Sequence, residues 1–222
     1  MSKLTRVLEP ELIESQEEAF DYDAMDHLDA NQKFVNNLLA TERVAGEVLD
    51  LGTGPGHIPI EMCERTTRVQ ILAVDLSTAM LDIARGNIEV AEWTDRIQLD
   101  RIDAKKLPYA DGRFACVMSN SLVHHIPTPS IMLKEAVRVT APGGFIFFRD
   151  LVRPEDDATV RRLMDKYALD DNRHQRRMYE NSLRAALTLK EIQAEVAALG
   201  FSPDTVRITS DRHWTWSTKK PG

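Results

Sequence analysis

From residue 46 onward the chain alternates short β-rich runs with helical stretches, and no other feature restricts its fold as much. The spacing predicts strands over residues 47–51, 69–74, 97–102, 114–119 and 145–148, with helices after residue 57 and over 78–90 and 130–139. Parallel neighbours need a crossover of a dozen or so residues, and helices of this length supply it. The expected core is an α/β sheet covered on both faces. Pro142-Gly143-Gly144 reads as a helix stop and turn feeding the strand that follows. Further on, Thr188 and Glu191 fit a capping box that opens a helix over 188–199, ended by Gly200. Two more strands are expected over 206–209 and 213–217, turning at Ser210 and Asp211.

At 222 residues one domain over 1–222 is the default count. Within it the pattern predicts an N-terminal helical cap over 1–40, a core over 46–152, a cap insertion over 153–185 and a closing helix with two strands over 188–217. The first cap carries apolar residues at helical spacing, Leu12, Ile13, Phe20, Phe34, Val35, Leu38 and Leu39, with a break across 21–29. The insertion mixes Arg161, Arg162, Arg173, Arg176 and Arg177 with Asp156, Asp157, Asp170 and Asp171, which suits a cap or a solvated helical face. Lys and Arg total 28 against 35 Asp and Glu, so the net charge of -7 argues against nucleic acid as partner. Cys63 and Cys116 have no CxxC neighbour, so neither a metal site nor a disulfide is expected, and reduced thiols in a cytoplasmic setting are. Acids near the N-terminus replace the apolar run of a secretory signal, and no stretch approaches the ~18 apolar residues of a membrane span.

Ligands of open parallel sheets bind beyond the C-terminal strand ends, so the residues there matter most. The first strand runs into VLDLGTGPGH, where Asp50 precedes a turn stripped of side chains at Gly52, Gly54 and Gly56. Such a turn before a helix N-terminus lets a ligand approach the backbone. The second strand ends in Asp75, a carboxylate able to accept both hydroxyls of a ribose. The third ends near Asp103, suited to an adenine amino group, and the fourth in Ser119-Asn120-Ser121. Together these describe a nucleoside across the strand ends. Taken singly, the glycines could be plain turn chemistry and Asp75 could cap the helix starting near Ser77. A dinucleotide site wants G-x-G-x-x-G; here the register is G-x-G-x-G, and His57 stands where the third glycine of that pattern would be.

The runs VLDLGTGPGHIPIEM, ILAVDLSTAMLDIAR, DAKKLPYADGRFACVMSNSLVHHI and EAVRVTAPGGFIFFRDL resemble the class I S-adenosylmethionine-dependent methyltransferases over about residues 46–152. The resemblance implies a Rossmann-like, doubly wound, mostly parallel seven-stranded sheet with an antiparallel C-terminal strand and a helical cap. It implies S-adenosylmethionine as cofactor, with Asp50, Gly52, Thr53, Gly54 and Gly56 at the methionine portion and ribose. Asp75 then holds the ribose hydroxyls, Leu76, Asp103 and Ala104 lie at adenine, and Asn120 and Ser121 lie near the methionine end. The fourth strand is followed by SNSL rather than the Asn/Asp-Pro-Pro-aromatic motif of many enzymes that methylate DNA, RNA or protein nitrogen. No pair of catalytic cysteines is available for RNA C5 chemistry. LPYADGRFACV and VHH are similar to the branch acting on small molecules, quinone and sterol methylating enzymes included.

For an acceptor that must lose a proton, His124 and His125 are the candidate bases. His125 matches the family position near the cofactor, and His124 is expected to pack or face solvent. Arg149 and Asp150 end the fifth strand and suit a polar substrate or a local ion pair. Tyr22 lies where the family's N-terminal cap closes over the cofactor, or else in the core of that cap. The insertion's arginines, His213 and Trp214 are further residues that could line an acceptor pocket. The function expected is methyl transfer to a small-molecule acceptor. A non-catalytic cofactor-binding or scaffold protein and an NAD-dependent dehydrogenase are the alternatives, and the oligomeric state stays open, a homodimer included.

Overall fold

A computed structural model describes residues 4–10, 12–25, 28–169 and 171–222; Asp170, counted above among the insertion's acids, lies outside them. Seven strands form one sheet: β1 Gly46–Leu51, β2 Val69–Asp75, β3 Ile97–Arg101, β4 Phe114–Asn120, β5 Thr140–Leu151, β6 Val206–Ile208 and β7 His213–Lys219. Their order is β3-β2-β1-β4-β5-β7-β6, with β7 antiparallel to both neighbours and the other pairings parallel. The chain winds outward from β1 to β3, then crosses back to place β4 on the other side of β1. That reversal opens a crevice at the C-terminal ends of β1 and β4, where neighbouring connections leave on opposite faces.

The helices are α1 Gln16–Asp23, α2 Leu28–Thr41, α3 His57–Arg65, α4 Thr78–Val90, α5 Pro129–Val139, α6 Asp157–Tyr167, α7 Arg173–Ala185 and α8 Leu189–Ala198. Strand residues alternate between two apolar layers, which is why the central strands read as unbroken hydrophobic runs. Leu49, Leu51, Val117, Ile146 and Phe148 pack with Met132, Leu133 and Ala136 of α5 and Ile192 and Val196 of α8. Val48, Ile71, Ala73, Met118 and Phe147 pack with Phe34 and Leu38 of α2, Met62 of α3 and Ile88 of α4. Phe34 and Phe147 meet edge to face, their ring centroids 5.1 Å apart.

Several ends differ from the sequence expectation. Pro142-Gly143-Gly144 forms no separate turn: α5 stops at Val139, and all three residues lie inside β5. They form a bulge there, because the step from Phe114 to Cys116 on β4 is matched by Thr140 to Phe145 on β5. A side chain at Gly144 would place its Cβ 2.8 Å from the Ala141 carbonyl oxygen, so the bulge needs glycine. The capping box at Thr188 and Glu191 forms as its spacing requires. In the insertion, Val160, Leu163, Met164 and Leu183 of α6 and α7 pack on Leu151, while Arg161, Arg162, Arg173 and Arg177 are exposed. Those four arginines thus occupy a solvated face and line no pocket.

Phe147→Ala removes a ring that is buried between α2 and the sheet. The expected loss is about 3–5 kcal/mol of unfolding free energy, measured by urea denaturation; a loss below about 1 kcal/mol would mean that α2 does not depend on this contact.

Candidate active site

The glycine turn between β1 and α3 is built on backbone that side chains rarely adopt. Gly52, Gly54 and Gly56 all have positive φ, 70°, 55° and 81°. A Cβ at Gly52 would lie 2.8 Å from Leu122, and one at Gly56 would lie 3.2 Å from Ala84 of α4. Gly54 differs, because a Cβ there would meet nothing within 4 Å. Its bare side faces open space, and its N–H donates to Asp75 Oδ2 at 2.9 Å. Asp75 Oδ1 accepts from the Ser77 N–H, also at 2.9 Å, so one carboxylate joins the first two strand-to-helix turns. Ser77, not Asp75, is the side-chain cap of α4. Each Asp75 oxygen keeps a lone pair for a ligand hydroxyl.

Asp50 is 2 % exposed on β1, and burial pushes its carboxyl up to about 7, a rise partly offset by Thr53 and furthered by Asp75. Asp50 Oδ2 and Thr53 Oγ1 are buried without hydrogen-bond partners among the described residues. Buried polar atoms are nearly always paired, so two orphans beside an open glycine turn fit a polar ligand seated against them. A ligand amino group would answer the Asp50 carboxylate. Leu76, Asp103 and Ala104 follow β2 and β3 along the same edge. Asp103 Oδ1 accepts the Lys105 N–H at 2.9 Å and pairs with its ammonium at 3.0 Å. Asn120 ends β4, and Ser121 takes a left-handed φ of 58° while its N–H donates to the Arg149 carbonyl.

Beyond Ser121 a short 3-10 turn, Val123–His125, carries both histidines. His124 is buried, with Nδ1 2.5 Å from Asp150 Oδ1 and its N–H donating to Asp150 Oδ2. Burial alone would depress this imidazole, but the Asp150 and Glu9 carboxylates outweigh it and hold it above the usual value. Burial likewise opposes ionisation of Asp150, and His124 reverses the balance and holds the carboxyl low. His125 is brought down to about 3 by burial, then by its neighbour His124, so its ring stays neutral at ordinary pH. Arg149 and Asp150 point to opposite faces of β5 and form no pair with each other. Arg149 instead donates through Nε to Thr215 Oγ1 at 3.3 Å and lies over the Phe34 ring.

The lid over this edge comes from elements the strand pattern does not cover. Arg6 donates to the carbonyls of His124, Ile126 and Ala185, which pins a strap of the first residues across the histidine turn. Ser77 Oγ donates to the Ile13 carbonyl, and His57 Nε2 lies 2.7 Å from Asp23 Oδ1, tying α1 to the first turn of α3. Tyr22 packs against Met80 and Ile83 of α4. Burial raises its hydroxyl to about 12, with further upward pushes from Asp75, Asp150 and Glu9. One phenol therefore feels both the glycine-turn half and the histidine half of the site. Trp214 is fully buried beneath α5 and α8, so it lines no acceptor pocket; His213 bonds through Nδ1 to Ser210 Oγ. Glu9, Arg6 and Asp23 were not marked by the sequence, because nothing local distinguishes them from other acids and bases near a helix start.

Residues 48–144 match the family profile described as "Methyltransferase domain". The chain is 26% identical over 178 residues to a 27-O-demethylrifamycin SV methyltransferase of Amycolatopsis mediterranei, covering 77% of this chain and 62% of that one. It is 36% identical over 112 residues to a ubiquinone/menaquinone biosynthesis C-methyltransferase of Desulfotalea psychrophila, covering 50% and 43%. A solved SAM-dependent methyltransferase from Aquifex aeolicus shares the fold with a TM-score of 0.66 at 15% identity, covering 93% of this chain and 98% of that one.

Asp50 yields a pH prediction. Its folded value of about 7 exceeds the ordinary 3.8, so between these values the folded state binds the extra proton and stability falls as pH rises. Asp50→Asn removes that dependence. Urea denaturation without ligand at pH 5 and pH 8 should show a smaller fall for the variant than for the wild type; equal falls would place the Asp50 carboxyl in a wetter setting.

Proposed function

We propose that the chain is a class I S-adenosylmethionine-dependent methyltransferase that transfers a methyl group from S-adenosylmethionine to a small-molecule acceptor, a reading supported by the match of residues 48–144 to a methyltransferase-domain profile. The observation that carries this reading is the presence, along one sheet edge, of a glycine turn with buried acids and of a buried imidazole–carboxylate pair. The glycine turn with Asp50, Asp75 and the orphaned Thr53 hydroxyl makes the first half. His124 and Asp150 make the second. By name, the curated relatives act on a rifamycin and on quinones, which supports a small organic acceptor.

In this reading Gly52, Thr53, Gly54 and Gly56 receive the methionine portion and ribose, with Asp50 opposite the amino group. Asp75 holds the ribose hydroxyls. Leu76, Asp103 and Ala104 border adenine, and Asn120 and Ser121 close the methionine end. When bound, the cofactor supplies a methyl on a sulfonium, a bond already polarised toward transfer. The chain's own task is therefore to hold the acceptor in line with that bond and exclude water. Asp150 accepts the Nδ1 proton of His124 and so fixes the tautomer that leaves Nε2 as proton acceptor for an acceptor O–H. Tyr22 covers the junction of the halves, and His125, neutral and partly exposed, borders the acceptor. Arg149 lies on the opposite face of β5 from Asp150 and reaches an acceptor only from the α2 side. The two buried free thiols fit a cytoplasmic setting.

Calorimetric titration with S-adenosylhomocysteine and, separately, with NAD tests the cofactor; saturable binding to NAD alone would overturn the reading. Asp75→Ala should weaken S-adenosylhomocysteine by about 10–100-fold, since it removes charge-assisted hydrogen bonds. Unchanged affinity would take the ribose away from Asp75. Once an acceptor is found by screening for S-adenosylhomocysteine release, His124→Gln should lower kcat by about 100-fold or more while KM for the cofactor barely moves. An unchanged kcat would remove His124 from proton transfer.

A further inference from the structure

Glu9, on the strap that Arg6 pins down, reaches the two histidines from across the site. Its Oε1 is buried and has no hydrogen bond among the described residues, yet it stands 3.4 Å from His124 Nε2 and 3.3 Å from His125 Nδ1, an atom that also lies 3.4 Å from the Pro10 carbonyl oxygen, which a bound ion would displace as its partner. These gaps are long for hydrogen bonds. They equal the spacing of neighbouring donors around a tetrahedral ion, since ligands at about 2.0–2.1 Å from zinc lie about 3.3–3.4 Å from one another. All three donor atoms fall within 4.8 Å of one another. Behind them, His124 Nδ1 is engaged by Asp150, the outer carboxylate that commonly orients a metal-binding imidazole and leaves its other nitrogen as donor. Glu9 Oε2 lies 3.3 Å from Ser182 Oγ, a long contact on its other side. The nearby Arg6 guanidinium is spent on backbone carbonyls. A dication would answer the Glu9 carboxylate, while Asp150 keeps its pairing with His124 Nδ1.

We propose that Glu9 Oε1, His124 Nε2 and His125 Nδ1 form a binding site for a divalent transition-metal ion of the zinc class. Cysteine spacing carries no metal signal in this chain, and nothing local in the sequence brings Glu9 to the histidines. Two imidazoles and one carboxylate suit Zn2+ or Co2+ and not Mg2+, which prefers oxygen and retains its water. A fourth position stays open to water or an acceptor oxygen through His125, whose side chain is 24% exposed. The ion and a transferable proton compete for the same Nε2, so loading the site blocks His124 as a proton acceptor. Metal binding itself does not depend on the methyl-transfer reading.

The test adds Co2+ to the full chain after chelator treatment and follows its visible d–d absorption. The expected result is one equivalent bound in a four-coordinate spectrum, displaced by Zn2+ and untouched by Mg2+. Glu9→Gln and His125→Gln should each weaken Co2+ binding by about tenfold or more, while circular dichroism and urea denaturation report that the fold is kept. Absence of Co2+ binding to the wild type would overturn the proposal, and so would unaltered affinity in both variants, which would put the ion elsewhere. Loss of S-adenosylhomocysteine binding by the metal-free wild type would instead count against the methyl-transfer reading and leave the metal measurement standing.

Discussion

The Asp75 carboxylate is the joint on which the ligand edge depends. Its two oxygens accept one N–H from the glycine turn after β1 and one from the turn after β2. Burial raises its pKa, and the N–H donors of Ser77, Gly54 and Leu76 work against that rise. With both turns held by one side chain, Gly54 keeps its positive φ and its bare face toward open space. The carboxylate is thus a brace for the loop in the same geometry that leaves it able to meet a ligand. A neutral replacement there loses shape as well as charge.

What the sequence made legible follows from how local each signal is. The strands and helices after residue 46 could be read because two apolar layers impose a continuous pattern on every central strand, as at Val48, Leu49 and Leu51. Glycines at positive φ and acids at strand ends are equally local, so the turn after β1 and the acids beside it could be read from the sequence. The Pro142-Gly143-Gly144 reading failed because a bulge and a turn use the same residues, and only the register with β4 separates them. The histidine turn was legible in residue type, and His124 packs, one of the two placements expected for it. Its partners were not legible, because Asp150 lies 26 residues away and Glu9 sits on a strap far off in sequence.

The two halves of the edge also differ in their electrostatics. Around the glycine turn, Asp50 is buried with little to neutralise it, a setting that favours an arriving cation. Around the histidines, charge is already answered within the protein by His124 and Asp150. Tyr22 stands between them and is kept protonated by burial and by carboxylates on both sides. Its hydroxyl can therefore donate a hydrogen bond at any physiological pH, which suits a residue at the seam of two differently charged compartments.

The strap has a consequence for how the molecule comes together. Arg6 bonds to carbonyls that lie 118, 120 and 179 positions along the chain. Contacts of such separation cost loop entropy and are rewarded only after the groups they join are in place. The carbonyls of residues 124 and 126 require β4 and β5 to be paired, and that of Ala185 requires α7 to have docked. Residues 4–10 are therefore among the last to settle in folding. Until they do, the imidazole turn is assembled but uncovered, so maturation of the site lags behind formation of the sheet that carries it.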